Sequence, residues 1–378
     1  MNTAHMPTLE IESLRDWDAR IGAADEITGW VMQAIDLSGR AGDLLRVDPH
    51  GAAFLGCTLP PELTDGLRER GALIFPPLPH VPFHAYRPGL YSPGELYDAI
   101  LHGELYTQTT DSRIYSWTTS LPTPDDLSAS LAMTLHDHAI SDALEETLNA
   151  SSPEQTVGIL GGHAVRRGSD DYIGAARLAS QLTLAGFTVV TGGGPGAMEA
   201  ANLGAHLAGQ PAALVHAIGH LASAPDYHGN ETMWVATGME VRAQTHPTGR
   251  SIGIPTWFYG HEPTNVFASA IAKYFSNALR EDVLLRHCRG GLIYMPGAAG
   301  TVQEVFQAAT GNYYAAQHDL ISPMIFVGLE YWTETLPVWP LISALGEGRG
   351  MGDRLLLVDD VDDAADHLVR RLSAVVAH

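Results

Sequence analysis

The sequence predicts an α/β protein, a Rossmann-like doubly wound parallel sheet with an additional N-terminal mixed α/β domain. Three observations carry that prediction. From residue 156 onward, short apolar runs alternate with amphipathic stretches at helical spacing. Such alternation builds a parallel sheet covered on both faces. Two of the apolar runs break directly into glycine clusters, as strands do where backbone must approach a ligand or a helix must start abruptly. The first 150 of the 378 residues lack this rhythm and carry proline-rich breaks at 76–83 (PPLPHVPF) and 121–126 (LPTPDD).

The elements follow in order. Residues 1–150 are read as a separate domain of unassigned role, without an internal repeat, ending in a helix near 127–149. SPEQT at 152–156 is the linker, and residues 151–378 form the second domain. There, 156–161 (TVGILG) is a buried strand, 171–185 an amphipathic helix and 187–191 (FTVVT) a second strand. A helix is expected from 197 to 207, then a polar, helical insertion over 206–250. An excursion of that length inside an α/β core is a lid or an added subdomain. Strand 252–255, a long helix over 264–287 and strand 291–295 come next, followed by a helix over 301–315. Strands 324–329 and 354–360 and a closing helix over 361–376 complete the pattern.

Composition narrows the function. Twenty-one basic residues face 43 acidic ones, a net charge of −22. A field of that sign repels nucleic-acid polymers and anionic membranes, so a small molecule is the expected partner. Lys273 is the single lysine, and no GK[ST] follows a glycine loop, which removes the P-loop reading. It also leaves pyridoxal-phosphate chemistry only that one amine. Cys57 and Cys288 stand far apart outside any CxxC pattern, against a disulfide framework or a thiolate zinc site. The N-terminus lacks a basic region followed by an apolar stretch, and no run reaches 18 apolar residues. A cytoplasmic protein is expected.

The first glycine cluster is TGGGPGAMEAAN at 191–202. Strand, glycine turn and helix N-terminus together make an anion site suited to phosphate. Gly192, Gly193, Gly194, Gly196 and Met198 are therefore candidate phosphate and nucleotide contacts. The run fits a dinucleotide fingerprint poorly, because the acidic residue expected about 20 positions on is missing from PAALVHA at 211–217. The second cluster, PGAAGTVQE at 296–304, repeats the arrangement with Pro296, Gly297, Gly300 and Thr301. Glu304 then points into the site, or is an ordinary first-turn glutamate favoured by the helix dipole.

Along 271–287, Lys273, Asn277, Arg280 and Glu281 recur at spacings of three or four, on one face of the expected helix. Arg280 can hold Glu304 or grip the ligand itself in a bidentate pair. Asn277 and Arg250 are possible ligand contacts, and Arg166, Arg167 and Arg242 are further cations in the same half. His136–His138 (HDH) offers ligand atom types without a partner pattern, so no metal is assigned. Trp257, Phe258 and Tyr259 are either a stacking platform for a base or core. No GxSxG elbow occurs.

A strand running into TGGGPGAMEAAN, an arginine-bearing helix, and a strand running into PGxxGTxxE resemble the LONELY GUY (LOG) family over roughly residues 156–375. The resemblance implies a Rossmann-like fold and a phosphoribohydrolase that splits nucleoside 5′-monophosphates into free base and ribose 5-phosphate. It implies that Arg280 and Glu304 are catalytic and that both glycine turns bind phosphate. It implies no cofactor and assembly as a homodimer or larger homo-oligomer. An alternative on the same fold is a non-catalytic nucleotide sensor or cofactor carrier. Two positions depart from the family pattern. Ala298 replaces a glycine, which is harmless at negative φ and strained by of order 1 kcal/mol at positive φ. Glu281 stands where the family has lysine.

Overall fold

The computed structural model describes residues 9–121, 126–149, 151–258, 262–317 and 320–376. The chain divides into two compact units, Met1–Gly89 with Leu121–Ala143, and Leu90–Ser120 with Leu144–His378. The boundary expected at residue 150 is thus corrected, because residues 90–120 belong with the C-terminal half. Chemistry explains the reassignment. Tyr91 exchanges two backbone hydrogen bonds with Ile271, each 2.9 Å. The Tyr97 hydroxyl donates to the Thr264 carbonyl at 2.6 Å, and buried Asp111 pairs with Lys273 at 2.5 Å.

The first unit holds four parallel strands in sequential order: β1 (Leu9–Ile11), β2 (Trp30–Gln33), β3 (Ala53–Leu55) and β4 (Leu73–Phe75). Leu9 pairs with Trp30, Val31 with Ala53, and Ala53 with Leu73, so a strand recurs every 20–22 residues. One helix crosses back in each interval: Leu14–Ile21, Ala41–Arg46 and Pro61–Glu69. This is a repeating β/α coil, where the sequence suggested no repeat. The repeat hides because one ladder position is filled in turn by Ile11, Met32, Phe54 and Ile74. Only apolar character recurs there, not residue identity. Gly29, Gly51 and Gly71 mark its period: each has positive φ, and each hydrogen-bonds to the next in line. Ile11, Trp17, Met32, Leu44, Phe54 and Leu67 fill its core.

The second unit is built on a seven-stranded parallel sheet. Its strands are β5 (Thr156–Leu160), β6 (Thr188–Thr191), β7 (Ser251–Gly253), β8 (Ala270–Ile271), β9 (Gly291–Tyr294), β10 (Met324–Val327) and β11 (Leu355–Val358). They lie in the order β11-β10-β9-β5-β6-β7-β8. Strands β5, β6, β7, β9 and β10 are buried along their whole length, which is why they read as plain apolar runs. The chain winds outward one way from β5 through β6, β7 and β8, then returns to start β9 on the other side. This is the doubly wound Rossmann-like architecture expected of the sequence. Helices Asp170–Leu184 and Ala197–His206 pack so closely that a Cβ on Gly204 would strike the backbone of Ala176.

The insertion contains helices Pro211–Leu221 and Glu231–Gln244. Arg167 pins it to the sheet: it binds both oxygens of buried Glu199 and donates to the carbonyls of Ala224 and Trp234. The long helix expected over 264–287 is corrected. Residues 264–276 are not helical and contribute the short strand β8, and the helix is Asn277–His287. The alanines and lysine of 268–273 favour a helix locally, yet edge pairing with β7 and the buried contacts of Lys273 override that preference. Ser276 caps the helix, accepting from the Leu279 N–H. Among the described residues no helix is long and apolar enough to cross a membrane.

Candidate functional site

In an open parallel sheet, ligands bind beyond the C-terminal strand ends where the winding reverses. Here that point is β5, flanked by β6 and β9. A cavity of about 830 Å³ opens there, lined by the loop after β5, the turn after β9, Met198, Glu262, Arg280, Glu281, Glu304 and Tyr331. Its size suits a small organic ligand.

Gly161 and Gly162, directly after β5, join the two glycine turns. The Gly162 N–H donates to the Pro296 carbonyl at 3.0 Å, and the Gly162 carbonyl accepts from Ala197 N–H at 3.1 Å. Gly196 adopts φ 70°, and a Cβ there would meet the carbonyl oxygens of Gly162 and His163. Behind the first turn runs a buried polar network. Thr191 Oγ1 accepts from the Gly193 N–H and donates to Asn202, while the Asn265 amide donates to the Gly194 carbonyl and to Asn202. The turn is therefore set before any ligand arrives. The second turn leads into helix Ala299–Tyr314, with Gly297, Ala298, Gly300 and Thr301 on the cavity wall. Ala298 sits at φ −95°, so alanine in place of glycine carries no left-handed strain. Tyr331 donates its hydroxyl proton to the Gly297 carbonyl at 2.7 Å.

Arg280, from the capped helix, reaches the cavity between the two turns. Its Nε donates to the Ile254 carbonyl at 2.8 Å, Nη2 approaches the Gly192 carbonyl at 3.4 Å, and Nη1 donates to Glu304 Oε1 at 3.2 Å. Two carbonyls thus fix the guanidinium plane and aim its third nitrogen at the carboxylate. Burial pushes the Glu304 carboxyl up to about 7; the Arg280 charge opposes this, and the like charge of Glu281 adds to it. A carboxyl poised near neutrality beside a fixed cation is the environment of an acid–base group.

The sequence candidates divide accordingly. Arg280, Glu304, Met198, Pro296, Gly297, Gly300 and Thr301 share one cavity wall, with exposed Arg166 as a further cation. Gly192, Gly193 and Gly194 shape the first turn from behind it. Asn277 is drawn away: its amide donates to Glu281 Oε1 at 2.8 Å, and it is not on the cavity wall. Arg250 is corrected as a ligand contact, since it precedes β7, at the end of the sheet opposite the cavity. It is exposed, and one nitrogen approaches the Thr147 carbonyl at 3.4 Å. Lys273 is not on the Arg280 helix but buried against Asp111 and Thr264. Trp257 is core, donating Nε1–H to Asp111 at 2.9 Å and stacked on Phe275. Phe258 is exposed, and Tyr259 lies outside the described residues. Gly161, Gly162, His163, Asn265 and Tyr331 went unrecognised in the sequence. Of these only the glycine pair at a strand end carried a readable signal.

No family model and no curated protein matches the chain. Among solved structures, it is similar to the molybdenum cofactor binding protein of the phototrophic bacterium Rippkaea orientalis, with a TM-score of 0.35 and 14% identity over 57% of this chain and 96% of that one. It is also similar to the Moco carrier protein of Chlamydomonas reinhardtii, with a TM-score of 0.34 and 16% identity over 57% of this chain and 98% of that one.

Proposed function

We propose that this chain hydrolyses the N-glycosidic bond of a nucleoside 5′-monophosphate, releasing the base and ribose 5-phosphate. The observation that carries the reading is Glu304, buried, raised to about 7 and held by Arg280 in a cavity edged by both glycine turns. Backbone N–H groups of the turns and the N-termini of helices Ala197–His206 and Ala299–Tyr314 favour an anion, and Arg166 adds a cation. A 5′-phosphate held there fixes the anomeric carbon. Bond cleavage develops positive charge on the sugar, which the Glu304 carboxylate stabilises while drawing a proton from the attacking water. Arg280 keeps that carboxylate in place. The motif resemblance to LOG phosphoribohydrolases supports the same chemistry.

The test is release of ribose 5-phosphate from a panel of nucleoside 5′-monophosphates, with Glu304→Gln in parallel. Release that needs Glu304 is the expected result. Nucleotides that bind without release would replace the enzyme by a sensor or carrier.

A further inference from the structure

A base leaving a ribose takes both electrons of the C1′–N bond and needs a proton as it goes. Glu304, assigned to water, cannot supply it in the same step. Three other carboxylates line the cavity, Asp171, Glu262 and Glu281. Asp171 is an exposed first-turn residue of helix Asp170–Leu184, and the surroundings of the other two separate them. Glu281 is buried; its Oε1 accepts the Asn277 amide at 2.8 Å and its Oε2 accepts the Gln303 amide. Two protein amides thus fix the orientation of this carboxylate, which is committed to helix contacts within the wall.

Glu262 differs. It is partly exposed on the cavity wall, and its Oε1 lies 3.5 Å from Nδ1 of His163, which comes from the loop after β5. Glu262 Oε2 flanks Gly194 and the Met198 methyl, whereas the Met198 sulfur flanks Gly192, where Arg280 arrives. Met198 therefore spans the interval between the imidazole–carboxylate pair and the Arg280–Glu304 pair. A carboxylate at Nδ1 orients an imidazole and leaves Nε2 as the proton-carrying atom.

We propose that His163, oriented by Glu262, is the acid that protonates the departing base; this rests on the hydrolase reading above. The C1′–N bond breaks with its electron pair passing to the base nitrogen, which takes the Nε2 proton of protonated His163. Water forms the new C1′–O bond and gives a proton to Glu304. The products are neutral base and ribose 5-phosphate, and solvent returns both side chains to their starting states. Glu262 is a positioning residue.

The test compares leaving groups of different basicity in the full-length protein. Nucleoside 5′-monophosphates need a proton donor, whereas p-nitrophenyl ribofuranoside 5-phosphate departs without one. His163→Gln is expected to lower kcat on nucleotides about 100-fold and on the nitrophenyl substrate no more than about threefold. Glu262→Gln should show the same selectivity at roughly tenfold. Equal slowing of both substrates by His163→Gln, with wild type active on both, overturns the assignment of His163 and leaves the hydrolase reading standing. Wild type that cleaves neither substrate overturns both.

Discussion

The two sheets of this molecule are both parallel, and the cavity that holds Arg280 and Glu304 opens on the seven-stranded one. In the four-stranded sheet the strands follow chain order, each crossing turns the same way, and neighbouring strand ends are bridged by consecutive loops. In the seven-stranded sheet the winding reverses at β5, and the cavity opens beside the loops that follow β5 and β9. Glycines mark both sheets for different ends. Gly29, Gly51 and Gly71 pace a repeat by hydrogen-bonding to one another, whereas Gly162 and Gly196 bring two loops together around a cavity. The lesson is that parallel strands become a binding fold through a change of winding direction.

The comparison can be broken most decisively at Glu304. Glu304→Gln is expected to lower ribose 5-phosphate release by roughly 10³-fold while nucleotide binding by calorimetry persists. A full rate in that variant would leave the reversal point without its chemistry. Phe54→Ala, in the repeating unit, should cost about 3–5 kcal/mol of stability in denaturant unfolding. Its hydrolytic rate below the transition should match wild type. A lost rate in well-folded protein would show that the repeating sheet shares in the site.

A pH series sharpens the contrast further. The folded state holds the Glu304 carboxyl near 7, above its ordinary 4.5. Below the ordinary value the group is protonated folded or unfolded, so its full contribution is present. As pH climbs toward and through 7 the unfolded chain ionises freely while the folded one resists, and stability falls. The loss amounts to roughly 3 kcal/mol. Glu304→Gln should therefore gain on wild type by that order between pH 5 and pH 8 in urea titrations. Hydrolysis of the nitrophenyl substrate by wild type, which needs no proton from His163, should rise through about pH 7 as the Glu304 carboxylate forms. Arg280, Glu281 and Tyr294 are the charged or titratable groups acting on it. The smallest effect is expected from Ser276→Ala, which removes the cap of the Arg280 helix at about 1 kcal/mol. Thermal unfolding would measure it.

Much of the seven-stranded sheet was legible because burial on both faces demands apolar runs, and five strands obey. Both glycine turns were legible for the same local reason. Arg280 was readable from its chemistry as a holder of Glu304 or of the ligand, and the motif resemblance added catalytic roles for both. The order of strands is not written in any one segment, so neither the reversal at β5 nor the misplacement of Arg250 could be read. His163 and Asn265 meet partners distant in sequence, Glu262 and Gly194. The repeat escaped because Ile11, Met32, Phe54 and Ile74 share only hydrophobicity, although the glycines at 29, 51 and 71 kept its period in view. Lys273 misled for a third reason: helix-favouring neighbours were outvoted by a buried anion contributed from residue 111.

That buried pair has a consequence for how the chain can be shortened and how it is made. A polypeptide cut back to residues 151–378 would retain both glycine turns, Arg280 and Glu304, and would look complete by motif. It would nonetheless bury an ammonium without its anion, leave the Trp257 N–H without Asp111, and strip Ile271 of its backbone partner. The seven-stranded half is thus not detachable at residue 151. On the ribosome, Asp111 emerges 162 residues before Lys273, an interval on the order of 10–30 s at ordinary elongation rates. During that time the Asp111 carboxylate has the Tyr106 hydroxyl, five residues away, but not yet its cation.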